Sequence, residues 1–437
     1  MKLYTSYKVK IKTYNYIFKK SVALYRKAVD FLINVCLTEW TILSSIKEPV
    51  NQKSYVESVI HSTSKRPVVK YDFDRKFYKF PSYLRRSAIM EAIGKVSSYK
   101  SNLENWQSDK RGKAPSVPKA GFVYPCLYRD NMFIRTDTYK AKIKVFINNT
   151  WDWLDVDLRK SDVDYINKHC TSRKECVPTL QKTGKQWFLV FSFEETVSLN
   201  KTDVCNQTIV AVDLGINNSC TISVIKSDGT ILDRKFLKLS KEQDFLNHSI
   251  NRIKKAQQHG NYKTPRLWTR AKGINHDIAV KTAQFITDAA ILHNADVIVF
   301  EHLEFKGKLK GSKKQKLHMW KSQTVQNIVT NKAHRLGIRI SRVNAWNTSK
   351  LAYDGSGYVN RGFNGNYSIC QFTTGKVYNC DLSASYNIGA RYFIREILKS
   401  LPAKARLDVE AKVPQCAKRS TCTLSTLSNL NAVLMSV

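Results

Sequence analysis

The sequence predicts a multidomain α+β protein. Its C-terminal half reads as a mixed α/β domain, and its N-terminal half as a β-barrel interrupted by an α-helical insert. Three observations carry this. A basic strand, YKVKIK at 7–12, stands alone before a helical stretch. A second run of strand patterns spans about 121–197. After Val197 short apolar strands begin to alternate with long helical patterns.

Each element has its own signature. In YKVKIK, Tyr7, Val9 and Ile11 share one face and Lys8, Lys10 and Lys12 the other, as in a half-buried strand. From Ser21 to about Ser45, Ala28, Phe31, Leu32, Val35 and Cys36 recur at helical spacing. More helical segments run to about Gln107, and RGKAPSVPKAGFVYP then reads as a loop. YKAKIKVFI alternates lysines with apolar residues, and VPTLQKTGKQWFLVFSFEE reads as two strands about the turn KTGK. IVAVDLG, TISVIKSDG and ILDRKFLKL form a predicted three-stranded meander. NHDIAVKTAQFITDAAILHNA is a helix with Ile278, Phe285, Ala289 and Leu292 on one face, feeding the strand ADVIVFE. DLSASYNIGARYFIREIL is a further helix.

Charge points to a polyanionic partner. The chain holds 72 Lys and Arg against 35 Asp and Glu, a net charge of +37. Such an excess fits nucleic acid. Between Glu304 and Asp354 there are twelve basic residues and no acid, opening as FKGKLKGSKKQK and continuing as a helix with Trp320, Val325, Ile328 and Val329 inward. This tract reads either as a solvated face or as a channel wall for a single strand. No apolar run reaches about 18 residues, so no membrane span is expected. No apolar leader follows Met1, and none of the ten cysteines forms C-x-x-C. Both fit a reducing, cytoplasmic setting, in a bacterial or archaeal cytosol or in a phage-encoded protein.

Three carboxylates stand out. Asp213 and Glu301 each end a strand of buried type, and Asp381 opens a helix. Singly, a strand-end acid can serve a salt bridge, and an Asp at a helix start can cap it. Together in a basic protein they suit divalent cations. Two Mg²⁺ ions, with Mn²⁺ as an alternative, activate water and stabilise the leaving oxygen in phosphodiester cleavage.

The segments VDLGINN, VIVFEHLEF and DLSASYNIGARY resemble, in order and spacing, the three split segments of a RuvC-type, ribonuclease-H-like nuclease. The resemblance covers about 209–398 and is closest to miniature type V (V-F-like) CRISPR nucleases and the transposon-encoded TnpB nucleases. It implies an RNA-guided DNA endonuclease whose metal-binding catalytic acids fall at Asp213, Glu301 and Asp381. Its partners would be a guide RNA and target double-stranded DNA unwound to an R-loop, with one copy or a homodimer on each guide. The implied domains are the first wedge-barrel strand at 1–20, a recognition insert at 21–119 and the rest of the wedge at 120–204. RuvC segments I and II with a basic lid follow at 205–346, then a target-nucleic-acid-binding loop at 347–380, and segment III with a tail at 381–437. A CRISPR effector is favoured; a TnpB-type enzyme and a catalytically silent guided binder are the alternatives.

One departure concerns zinc. Where the family places four knuckle cysteines, this sequence has Ala352, Gly355, Gln371 and Thr374, while Cys370 and Cys380 lie off register. No zinc is expected, and the loop is expected to be held by Tyr353, Tyr358, Phe363, Tyr367 and Phe372. Arg361 matches a loop arginine that assists catalysis in the family, and equally suits a phosphate contact. Ser383 replaces the Asn of the family's D-x-N.

Overall fold

The computed structural model describes residues 1–13, 16–110, 112–215, 218–303, 322–362 and 365–435. The chain forms two compact units, one of residues 2–196 and one of Met1 with 197–437. The lysine-rich opening of the basic tract, with Trp320, and Phe363 lie outside the described residues.

In the first unit, β1 (Lys2–Lys10) pairs antiparallel along its whole length with β7 (Gln186–Thr196), from Lys2–Thr196 to Lys10–Phe188. The unit is therefore closed by its first and last strands. Between them come the helices α1 (Tyr16–Thr38), α2 (Trp40–Ser45), α3 (Pro49–Ile60), α4 (Phe73–Lys76) and α5 (Ser82–Asp109). The strands β2 (Phe133–Asp137), β3 (Lys140–Ile147) and β4 (Thr150–Asp157) form a separate meander. Asn148 and Asn149 both have positive φ, at 47° and 59°, as a two-residue type I′ hairpin requires. Helix α6 (Lys160–His169) follows, then β5 (Lys174–Glu175) and β6 (Thr179–Thr183), both paired with β7.

Two expectations need correction. No closed barrel forms among the described residues; the strands make two sheets. They meet at the isolated bridge of Ile11 with Leu158, while Cys126, ahead of β2, bridges to Thr179. The ladder cannot propagate past Leu158 because α6 begins two residues later. Helix α6 itself breaks a region read as β. It is short and amphipathic, burying only Val163 and Ile166.

The helices and both sheets of this unit share one core. Helix α1 contributes Phe18, Val22, Val29, Leu32 and Ile33 at helical spacing. An aromatic chain, Phe31–Phe73–Phe80–Trp151, ties the helices to β4 through edge-to-face contacts with centroids 5.8, 5.5 and 5.4 Å apart. Glu39, buried at the α1–α2 junction, accepts hydrogen bonds of 2.6 Å from each of Lys70, Tyr55 and Tyr71. The Lys70 ammonium above all, with the two hydroxyls, holds its carboxyl at about 2 instead of the ordinary 4.5. A carboxyl depressed by folding stabilises the fold above its unfolded value, and that contribution disappears as pH falls through the folded one. Glu39→Gln should therefore lower the melting temperature at neutral pH, with the gap to wild type closing between pH 4.5 and about 2. An acid series of thermal melts checks this; a gap independent of pH would contradict it.

The second unit is built on one five-stranded sheet. Its strands are β8 (Thr208–Asp213), β9 (Cys220–Lys226), β10 (Ile231–Leu237), β11 (Val297–His302) and β12 (Arg339–Asn344), in the spatial order β10-β9-β8-β11-β12. The first three run antiparallel, and β11 is parallel to both β8 and β12. Strand β8 is covered on both faces, which is why it reads as a continuous apolar run. Val210 and Val212 face α8 (Pro265–Leu292) and α9 (Ser322–Arg335), with Ala283, Ile286 and Val329. Ile209 and Ala211 face α10 (Cys380–Ser400), with Ile388 and Ile394. At Gly389 the helix comes so close that an added Cβ would lie 3.2 Å from the Ala211 Cβ and 2.5 Å from the Ile225 Cδ1. Helix α7 (Ser240–Gln258) packs on α8, while α11 (Ala403–Lys412) and α12 (Leu424–Met435) follow α10.

Candidate active site

Strand parity delivers the acids. Side chains alternate between faces, so Asp213 shares the face of Ile209 and Ala211, and Glu301 that of Val297 and Val299. Both faces look toward α10. The register pairs Val212 with Phe300, so the two acids stand one step beyond on neighbouring parallel strands. Asp381 lies in the first turn of α10. Its capping explanation is not what the structure shows. The cap is Asn379, whose side chain accepts from the Leu382 amide at 3.0 Å. Asp381 Oδ2 instead accepts 2.8 Å from the buried Asn218 amide, 163 residues away in sequence.

The electrostatics express this crowding. Burial pushes the Asp213 carboxyl well above its ordinary value, and the charges of Glu301 and Asp381 push it further. Among the described residues, only Arg361 pulls it down. The Glu301 carboxyl is also raised by burial, offset by a hydrogen bond from the Thr348 hydroxyl and by the charge of Arg391. Among the described residues, no three His, Cys, Asp or Glu side chains come close enough together to hold a metal ion. The three acids thus share a face without being drawn onto one point. Their chemistry suits a hard cation: oxygen donors, half-buried, and short of positive charge.

Helix α10 also fixes what surrounds the acids. Asn387, fully buried, donates to the carbonyls of Thr348 at 3.0 Å and Leu351 at 2.9 Å. Arg391, also buried, reaches the carbonyls of Asn344, Trp346, Ser420 and Cys422 at 2.7–3.1 Å. These bonds pin the segment that brings Thr348 to Glu301. Gln326 on α9 donates to the Glu301 carbonyl at 3.1 Å. Asn218, Thr348, Asn387 and Arg391 escape sequence reading because only topology brings them near the acids.

The loop before α10 carries a small sheet of β13 (Asn360–Arg361), β14 (Ile369–Gln371) and β15 (Val377–Asn379). Arg361 is exposed, and its guanidinium donates twice to the Ser349 carbonyl, at 3.2 and 2.9 Å. Ala352, Cys370, Phe372 and Cys380 form the loop's core, with Tyr353 against Phe372, Tyr378 and Tyr386 at 5.6, 5.0 and 5.2 Å. Tyr358 and Tyr367 are exposed and do not join it, contrary to expectation; Tyr378 and Tyr386 take that part. Among the described residues, no helix is long and apolar enough to cross a membrane.

A family model described as the Aq_aa04 family matches residues 5–147. The TnpB-like protein aq_aa05 of Aquifex aeolicus (strain VF5) is 26% identical over 235 residues, which cover 48% of this chain and 74% of that one. The uncharacterized protein aq_aa04 of the same organism is 30% identical over 142 residues, 28% of this chain and 82% of that one. Among solved structures, Cas12f1, seen by cryo-EM in complex with sgRNA and target DNA, matches with a TM-score of 0.54 at 14% identity. That match covers 84% of this chain and 81% of Cas12f1. At that identity the likeness is one of fold, a shared multidomain α+β architecture.

Proposed function

We infer, since the chain belongs to the Aq_aa04 family and is a relative of a TnpB-like protein, that it is an RNA-guided DNA endonuclease of the TnpB and Cas12 kind. One observation carries this reading. Asp213 and Glu301 end adjacent parallel strands on the sheet face covered by the helix that begins with Asp381. A sheet of order β10-β9-β8-β11-β12, with acids there, supports the reading of a RuvC-type, ribonuclease-H-like nuclease. On this reading the three carboxylates would hold Mg²⁺, which would supply water activation and stabilisation of the leaving oxygen. The chain's own residues do the rest. The Thr348 hydroxyl and the Asn218 amide orient the Glu301 and Asp381 carboxylates. The exposure of Arg361 and its electrostatic reach to Asp213 support a role in meeting a phosphate. A guide RNA supplies sequence recognition in the cytosol, opening the DNA to an R-loop. The TnpB-like relative favours a second reading, a transposon-associated enzyme in place of a CRISPR effector. CRISPR arrays or transposon ends beside the gene separate the two.

RNA binding is tested directly. The protein purified from its host should carry a discrete nuclease-protected RNA. With +37 to be matched by phosphates, affinity should fall by about a thousandfold or more between roughly 50 and 200 mM salt. Absence of any protected RNA, or a flat salt profile, would count against a guide.

Zinc has no part in this reading. The Cys370 and Cys380 thiols sit against one another inside the loop's aromatic core, and burial pushes Cys370 up to about 12. A structural zinc takes four good ligands, and two thiols held protonated do not supply them. Elemental analysis should find no stoichiometric zinc. One tight zinc per chain, lost in Cys370→Ser with Cys380→Ser, would overturn this.

A further inference from the structure

A second basin lies in the same unit, and none of the three acids lines it. A cavity of about 140 Å³ opens between the end of β12, the C-terminal half of α10, and residues 406–422. Its walls carry Arg342, Arg391, Arg395, Lys399, Arg406 and Arg419. Between them lies an apolar floor that includes Ile394, Leu398 and the buried Cys416 and Cys422.

The charges there are under-answered. Glu396 meets Arg395 at 2.7 Å and Lys399 at 3.3 Å, and Glu410 meets Arg406 at 2.8 Å. Arg391 is turned onto backbone carbonyls. Arg342 spends its Nε on the neutral Gln326 side chain, at 2.9 Å. Arg419 is exposed, and among the described residues it has no carboxylate partner. Among the described residues, Glu396 and Glu410, with Glu301 acting at longer range on Arg391, thus answer six cations around a half-enclosed space. Guanidinium groups pair with phosphate oxygens through paired N–H donors, and their planes stack on nucleobases. The concave apolar floor distinguishes this place from a flat basic patch: it offers room to one flat ring-sized group, with the cations at its rim.

We propose that this basin binds one splayed-out nucleotide of a single-stranded nucleic acid, its base against the Ile394–Leu398 floor and its flanking phosphates on Arg342, Arg406 and Arg419. A duplex keeps its bases stacked and would not fill the cavity, so the site selects single strands. It goes beyond the nuclease reading and stands without it, because the three acids take no part.

Two surface variants separate cavity from charge. Ala417 is exposed on the rim, so Ala417→Trp fills the opening and keeps every cation. Arg419→Glu keeps the cavity open and reverses one charge. The full-length protein is irradiated with a single-stranded RNA of unrelated sequence containing 4-thiouridine, and crosslinked peptides are mapped by mass spectrometry. Wild type should crosslink within 391–399 or 414–422. Both variants should lose about tenfold of that yield, the size expected for removing one stacked base, with melting temperature unchanged. Arg419→Glu should also lower the salt slope of binding by about one, and Ala417→Trp should not. No crosslink in these peptides, or an undiminished yield in Ala417→Trp, would overturn the proposal. So would displacement of the crosslink by a tetraglutamate peptide at the RNA's own concentration, which would mark the basin as a dock for an acidic protein.

Discussion

Asp213→Ala, Glu301→Ala and Asp381→Ala should each abolish DNA cleavage while guide-RNA affinity stays within about twofold. The cleavage loss follows from the site's charge. Burial and two neighbouring acids raise the Asp213 carboxyl, so the intact site lacks the positive charge that a divalent ion brings. Losing one carboxylate from a metal site forfeits several kcal/mol of transition-state stabilisation, and about 4 kcal/mol is on the order of a thousandfold in rate. RNA affinity, by contrast, comes from many distributed basic residues, so one acid hardly changes it. Cleavage of guide-matched DNA and filter retention of RNA, measured on the same preparations, separate the two effects. Strong residual cutting by any one variant would remove that residue from the site.

Arg391→Met should cost about 3–5 kcal/mol of stability, the range for breaking a buried charged network. The substitution keeps an unbranched apolar stem and removes the guanidinium, with its donors and its charge. Four carbonyls, from Asn344, Trp346, Ser420 and Cys422, then lose that partner in the interior. Those carbonyls belong to two separate stretches of chain, one leading to Thr348 and one leading into α12. Glu301 also loses the positive charge that offsets its burial. Chemical denaturation should show an earlier midpoint for the second unit. Arg391→Lys should recover only part of the loss, because an ammonium cannot reach four acceptors in a planar fork. A change within about 0.5 kcal/mol, typical of a surface substitution, would show that Arg391 is no staple.

How much of this was legible follows from which contacts are local. Strand β8 announces itself as an apolar run, and period-two alternation is enough to put Asp213 on the face of Ile209 and Ala211. The β6–β7 hairpin is equally local, with Gly184 at φ +59° in the turn KTGK. What sequence could not supply is what topology creates. Asn218 reaches Asp381 across 163 residues and Thr348 reaches Glu301 across 47. Neither pairing has a periodic signature. The barrel expectation failed because strand patterns reveal which face is buried and not which edges join; a ten-residue helix after Arg159 stops the ladder. The aromatic loop failed in part for a related reason. Tyr358 and Tyr367 look like core residues by type, yet both lie outside the small sheet's strands and face solvent, and Tyr378 and Tyr386 pack on Tyr353 instead. The cap shifted by two residues, from Asp381 to Asn379, which leaves the acid unencumbered by the helix start.

The central claim is guided, metal-dependent cutting by the Asp213, Glu301 and Asp381 site. Its most direct measurement is cleavage of a DNA duplex by the protein loaded with its co-purifying RNA, with the target matched to that RNA or scrambled, in Mg²⁺ or in EDTA. The account predicts cutting of the matched duplex in Mg²⁺ alone, lost in Asp213→Ala. Equal cutting of scrambled DNA, cutting that persists in EDTA, or no cutting of the matched duplex under any of these conditions would contradict it.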